Sequence, residues 1–233
     1  MTQVVGILGG MGPRATVEFY ERLLTATPAN RDQDHIPLSI WANPTVPDRT
    51  AAYENRGESV VPALTEGVHQ LQTAGASFIV CPCNTAHIWL PDITKDYGVP
   101  LLSILDTSLS RIRENRNRGD SVGILATNAT LGSHIFQTAL NNDGIRSVLP
   151  DRIAQDSLVQ AIYRVKSGSP EDLQQAADLV SAACHSLVSN GAQAVLAACT
   201  EVSVIMNRVR TSVPVIDSIE SLATGTVERW YAR

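Results

Sequence analysis

The feature that most constrains this chain is an internal echo repeated at an offset of about half its 233 residues. Val5-Gly6-Ile7-Leu8-Gly9-Gly10 returns as Val122-Gly123-Ile124-Leu125-Ala126-Thr127, and Cys83-Asn84-Thr85 returns as Cys199-Thr200-Glu201. Gly98-Val99-Pro100-Leu101-Leu102-Ser103-Ile104-Leu105-Asp106 finds a shorter partner in Ser212-Val213-Pro214-Val215-Ile216-Asp217. A single match of ordinary strand composition carries little weight. Three in the same order at nearly the same offset imply duplication, and a repeat of this length decides the architecture.

Each half alternates short β-branched runs with longer helical patterns, the signature of a parallel sheet covered by helices. Strands are predicted at 4–8, 38–42, 78–81, 101–105, 121–125, 146–149, 194–197 and 213–216. The first helix starts at Pro13, a residue suited to that position, and carries Val17, Tyr20 and Leu24 on one face. Val61, Leu64, Val68 and Leu71 repeat the spacing, and further helices fit 106–115, 131–141, 151–166, 170–189 and 218–230. The expected fold is α/β: two similar, pseudo-symmetric lobes, each a mostly parallel sheet flanked by helices. Residues 1–105 with 217–233 would form the first lobe and 106–216 the second, with the site in the cleft between them. Ligands of such sheets bind beyond the carboxyl ends of the strands.

Composition narrows the function classes. Apolar residues make up 44% and charged residues 18%, against roughly 25% charged in an average soluble protein, so much of the chain is expected to be buried. A net charge of −5 argues against nucleic-acid binding. The arginines at 111, 113, 116 and 118 are interrupted by Glu114 and Asp120 and read as a solvated helix end. No apolar run is long enough to span a membrane, and Val4-Val5-Gly6 leads straight into a strand rather than a signal peptide. Four cysteines without a secretory signal point to free thiols in the cytoplasm.

Cys83 and Cys199 each close an apolar run and are followed by small polar residues. A lone cysteine reads as a small buried hydrophobe. Position at a strand end, a helix start able to stabilise thiolate and a symmetric counterpart favour chemistry for this pair. Cys81, by alternation, and Cys184, on a helix, read as core. Cys81-Pro82-Cys83 with His87 offers three metal-ligand types, but no second Cys/His cluster completes a set, and no metal is expected. Gly9-Gly10-Met11-Gly12-Pro13 joins a strand to a helix. There Gly10 and Gly12 could present backbone N–H groups to an anion, but the spacing does not match a dinucleotide fingerprint. Arg49 lies in a loop after a strand, where it could grip a carboxylate or simply face solvent. Lys166 sits at a helix end and, with Lys95, is one of only two lysines. Neither has a phosphate loop nearby, so chemistry without pyridoxal phosphate or any other cofactor is expected.

These motifs resemble the aspartate/glutamate racemase family, and more closely its aspartate racemase branch. The resemblance rests on Gly6 to Pro13, Asn43-Pro44 with Pro47-Asp48-Arg49-Thr50, Pro82 to His87, Gly123 to Thr127 and Cys199-Thr200-Glu201, which fall in family order over nearly the whole chain. It implies cofactor-independent racemisation of a small amino acid, aspartate or glutamate, with Cys83 and Cys199 as the two bases. By family analogy Cys83 serves the D-isomer and Cys199 the L-isomer. The resemblance also implies substrate contacts from Met11, Arg49, Asn84, Thr85, Thr127, Lys166, Thr200 and Glu201, and a homodimer. Glutamate racemases typically show Asp-Ser after the first strand and Cys-Thr-His at the second cysteine. Gly10-Met11 and Cys199-Thr200-Glu201 stand here instead. A broad-specificity amino-acid racemase, a maleate isomerase-like or decarboxylating enzyme, and a dicarboxylate-binding sensor are the alternatives.

Overall fold

The computed structural model describes residues 3–232. The chain divides into two compact units, Met1–Thr107 with Ile219–Arg233, and Ser108–Ser218. Each is built on a four-stranded sheet in which every pairing is parallel.

In the first unit, β1 (Val4–Gly9), β2 (Leu38–Ala42), β3 (Ala76–Val80) and β4 (Leu101–Leu102) take the order β2-β1-β3-β4. The helices α1 (Pro13–Ala26), α2 (Arg49–Tyr53), α3 (Val61–Thr73) and α4 (Leu90–Asp96) fall between them, α5 (Ile104–Asn115) begins here, and α11 (Ser218–Tyr231) returns to the unit. The second unit repeats the order as β6-β5-β7-β8, from β5 (Ser121–Leu125), β6 (Arg146–Val148), β7 (Ala194–Ala197) and β8 (Val215–Asp217). Its helices are α6 (Asn128–Gly132), α7 (Ile135–Asn142), α8 (Arg152–Ser167), α9 (Pro170–Ser189) and α10 (Thr200–Ile205). The echo in the sequence is thus a repeated topology.

Inner strands of parallel sheets are covered on both faces and read as unbroken apolar runs. β5 and β7 are buried along their whole length, whereas the edge strand β2 is half-buried to exposed. The repeated glycine has the same physical cause in both units. A Cβ on Gly6 would lie 2.9 Å from Ala76 Cβ, and one on Gly123 would lie 2.9 Å from Leu187 Cδ1. At both places a side chain would collide with what lies against the strand, β3 at Gly6 and α9 at Gly123.

Local chemistry sets the helix boundaries. Asp151 caps α8 by accepting from Ala154 N at 2.9 Å. Gly168, in the left-handed region at φ 84°, ends that helix, and Ser169 then caps α9, which has Pro170 in its first turn. Stop, cap and start therefore occupy three consecutive residues.

Three expectations need correction. The face of α1 carrying Val17, Tyr20 and Leu24 is 59, 39 and 37% exposed, and the helix buries Ala15, Thr16, Phe19 and Leu23 instead. The Thr16 hydroxyl turns this face inward: it accepts from Gly10 N at 2.9 Å and donates to the Gly12 carbonyl at 3.0 Å. The strand expected at 101–105 ends at Leu102, because Ser103 Oγ accepts from Leu105 N at 3.1 Å and starts α5. The helix expected at 131–141 is split, with His134 at φ 57°. Ser133 Oγ donates to the Thr130 carbonyl at 2.8 Å and Gln137 Nε2 to that of Leu131 at 2.7 Å. These side chains cap the end of α6 in place of further helical turns.

Candidate active site

In both sheets the strand order turns back on itself between a central pair, β1 with β3 and β5 with β7. The space beyond the carboxyl ends of such a pair is where open parallel sheets bind ligands. Beyond β1 and β3 lie the Gly10 turn and Cys83. Beyond β5 and β7 lie Thr127 and Cys199.

In the first unit, Gly10 has φ 92° and a Cβ there would fall 2.4 Å from the Asn43 carbonyl carbon. Glycine is required on both counts. The Gly10 amide is already bonded to Thr16 Oγ1, so it is not open to an anion as the sequence suggested. Gly12 is the N-cap of α1 and keeps its place at a helix start. Met11 is buried in the apolar cluster that also contains Cys81 and Cys83, so packing accounts for its side chain.

Arg49 follows the capping Asp48, which accepts from Ala51 N at 2.8 Å. Its Nη1 donates to the carbonyls of Val46 and Pro47 at 3.2 and 3.1 Å, which anchors the guanidinium over its own loop. Burial pushes the Cys81 thiol well above its ordinary value, the Cys83 sulfur adds to this, and the charge of Arg49 pulls the other way. Arg49 is thus close enough to the cysteine turn to act on it electrostatically. Cys83, Asn84 and Thr85 are all buried. Cys83 N donates to the Cys81 carbonyl at 2.8 Å, folding the chain tightly around Pro82.

In the second unit, Thr127 is the N-cap of α6: its hydroxyl oxygen accepts from Thr130 N at 3.2 Å and pairs with Thr130 Oγ1 at 3.0 Å. Gln155 Nε2 braces this loop through the Ala126 carbonyl at 3.1 Å and Asn128 Oδ1 at 2.8 Å. Cys199 is the N-cap of α10, followed by buried Thr200 and Glu201. Its Sγ donates to Glu201 Oε2 at 3.3 Å, while the other carboxylate oxygen, Oε1, is buried without a hydrogen-bond partner among the described residues.

Burial raises the Cys199 thiol well above its ordinary value and the Glu201 charge raises it further, against the bond from the Glu201 backbone and the charge of Lys166. A helix start was expected to favour thiolate here. Desolvation and the carboxylate outweigh it, and Cys199 is held as a thiol. Lys166 lies with its Nζ 5.0 Å from the Tyr163 ring centroid, exposed at the end of α8.

Each unit therefore places one cysteine and its two following polar residues at the end of its third strand, with Arg49 at the start of α2 in the first unit and Lys166 in the last turn of α8 in the second. The sequence reading missed Thr16, which satisfies Gly10, and treated His87 only as a metal ligand. The four-residue spacing from Cys83 was the available signal for His87, whose ring nitrogen lies 2.9 Å from the Cys83 carbonyl. Among the described residues no group of three His, Cys, Asp or Glu side chains is arranged to hold a metal ion. No helix among them is long and apolar enough to cross a membrane.

Comparison with known proteins covers almost the whole chain. The family model described as Asp/Glu/Hydantoin racemase matches residues 8–226. The broad specificity amino-acid racemase RacX of Bacillus subtilis (strain 168) is 28% identical over 235 residues, spanning 98% of this chain and 99% of the relative. Among solved structures, the aspartate racemase of Picrophilus torridus superposes with a TM-score of 0.86 at 36% identity, covering 98% of this chain and 94% of that one. A glutamate racemase isoform from Bacillus anthracis shares the fold, with a TM-score of 0.72 at 18% identity over 99% of this chain and 82% of its own. Two parallel four-stranded sheets of identical order, matched with relatives over nearly the full length, place this chain in the Asp/Glu/hydantoin racemase family, and it is an isomerase of that family.

Proposed function

We propose that the protein is a cofactor-independent amino-acid racemase that interconverts L- and D-aspartate, with glutamate as a secondary substrate, through Cys83 and Cys199. The observation that carries this reading is the equivalence of the two cysteines: each follows the third strand of an identically ordered sheet at its switch point. Racemisation needs two acid/base groups that differ in the face they address and little else.

One sulfur, as thiolate, takes the α-proton as the C–H electron pair passes onto the α-carbon. The other thiol then delivers its proton to the other face of the planar carbanion, and the pair ends with its protonation exchanged. One proton is shared throughout, so the ionisation belongs to the pair. Burial and Glu201 favour the protonated form of Cys199. This is the form in which Cys83 abstracts from D-substrate and Cys199 reprotonates to L. Arg49 and Lys166 supply positive charge for the substrate carboxylates and for the carbanion. Asn84, Thr85, Thr127 and Thr200 supply polar contacts. Preorganised charge of this kind is the main means of stabilising a carbanion without a cofactor. The similarity to an aspartate racemase at 36% identity favours aspartate, and we expect a cytoplasmic homodimer.

The test is L-to-D conversion and α-deuterium exchange on a panel of amino acids, with Cys83→Ser and Cys199→Ser as variants. Both substitutions are expected to abolish racemisation of aspartate. Full racemisation by either one refutes the two-base mechanism, and conversion of other amino acids at rates above aspartate refutes the substrate assignment.

A further inference from the structure

His87 is buried on the short 3-10 turn Thr85–Ile88, and both of its ring nitrogens are engaged with backbone. Nδ1 lies 2.9 Å from the Cys83 carbonyl oxygen, and Nε2 receives the Ile104 amide at 3.2 Å. These partners determine the tautomer. An amide N–H can only donate and a carbonyl can only accept, so Nδ1 carries the hydrogen and Nε2 the lone pair. The imidazole is neutral, and burial holds its pKa down to about 4 although the Cys83 bond favours charge. A neutral ring with both nitrogens committed is a strut between the Cys83 turn and the first residue of α5.

The corresponding place in the second unit is built differently. The Cys199 carbonyl accepts from Val202 N at 3.0 Å and Ser203 N at 3.3 Å, so the first turn of α10 secures it. Ser203 stands four residues after Cys199, as His87 does after Cys83. In the first unit the backbone N–H of His87 instead closes a tight turn on the Asn84 carbonyl at 3.1 Å. The imidazole adds a fastening where the helical amide has turned away. With Cys83 N bonded to the Cys81 carbonyl, the backbone of Cys83 is tied on both sides.

We infer that His87 is a positioning residue for Cys83, fixing its sulfur through the Cys83 carbonyl and anchoring that turn to the amide of Ile104. The inference rests on the reading of Cys83 as a base. Misplacing a reacting group by about 1 Å can reduce a rate about a hundredfold, and Cys83 would be freed to move by that order if the strut were removed.

Three variants separate the two bonds. Asn places an amide near Nδ1 and can keep the link to Cys83, Gln reaches the position of Nε2 and can keep the link to Ile104, and Ala keeps neither. His87→Ala and His87→Gln are expected to lower kcat about a hundredfold with KM changed less than about twofold. His87→Asn is expected to recover about tenfold of the loss. Iodoacetamide labelling mapped by mass spectrometry gives a readout independent of turnover. Labelling of Cys83 should change severalfold in the Ala and Gln variants, return towards wild type in the Asn variant, and leave Cys199 unaltered.

Equal kcat in the Asn and Gln variants, with losses that follow their thermal midpoints, overturns the positioning role. So does unchanged Cys83 labelling in all three. If Cys83→Ser still racemises while the His87 variants alter Cys83 labelling selectively, the catalytic reading falls and the strut stands.

Discussion

Replacing Gly10 by Ala tests whether the β1-to-α1 turn is held as tightly as its geometry implies. Gly10 sits at φ 92°, and an added Cβ would fall 2.4, 2.5 and 2.5 Å from the carbonyl carbon, nitrogen and oxygen of Asn43. The obstacle is backbone at the end of β2, where Asn43 N also donates to the Gly9 carbonyl at 3.2 Å. An ordinary carbon contact of about 3.5 Å therefore requires a shift of about 1 Å in a hydrogen-bonded segment. The left-handed backbone costs an alanine about 1 to 2 kcal/mol, and overpacking against a fixed neighbour adds about 1 to 3 kcal/mol. The total expected is about 2 to 5 kcal/mol.

Gly98 supplies the control, because it has φ 64° with nothing within 4 Å of an added Cβ. Gly98→Ala should show only the backbone cost. Urea unfolding followed by circular dichroism, with amide exchange on β1 and β2 to localise the effect, compares the two variants. Gly10→Ala should lose at least about 1 kcal/mol more than Gly98→Ala and should lose protection in β1 and β2. Equal losses would falsify the claim that Asn43 backbone closes this turn.

Three further outcomes follow from the site. The folded pKa of His87 lies near 4, below its ordinary 6.5, so the unfolded chain binds the proton more readily. Stability present above about pH 6.5 is lost as pH falls through 4, by about 3 kcal/mol in all, and urea titrations across that window should show a shallower loss in His87→Asn; parallel curves refute the buried neutral ring. Glu201→Gln removes the charge that raises Cys199, so iodoacetamide should label Cys199 faster at pH 8, and an unchanged rate sinks that account. Thr127→Ala should cost about 1 kcal/mol through loss of the α6 cap, with Thr127→Ser restoring it, and a thermal midpoint that does not respond to either change excludes the capping role.

Where side chains speak for themselves, the sequence was easily read. β2, β5 and β7 lie where their patterns place them, because short apolar runs bounded by turn residues report local preference, and α9 does so because Ser169-Pro170 starts it and its apolar residues keep helical spacing. α1 shows the limit. Two apolar stripes satisfy helical periodicity on that helix, and only the placement of Thr16 against Gly10 and Gly12 decides which one turns inward. The short β4 has a similar cause, since Ser103 can continue a strand or cap a helix, and the α5 amides decide the matter.

By itself the sequence determined the duplication, the parallel class of the sheets and the pair of cysteines, because periodicity and motif order are properties of the chain alone. Only the tertiary structure decided what surrounds those cysteines. A pKa depends on desolvation and on charges brought near by folding, so Cys199 is a thiol beside Glu201 although its motif suggests a helix-stabilised thiolate. The role of His87 depends likewise on Ile104, seventeen residues away, whose amide fixes the ring's tautomer. No local pattern shows that contact, because packing β4 beside β3 is what creates it.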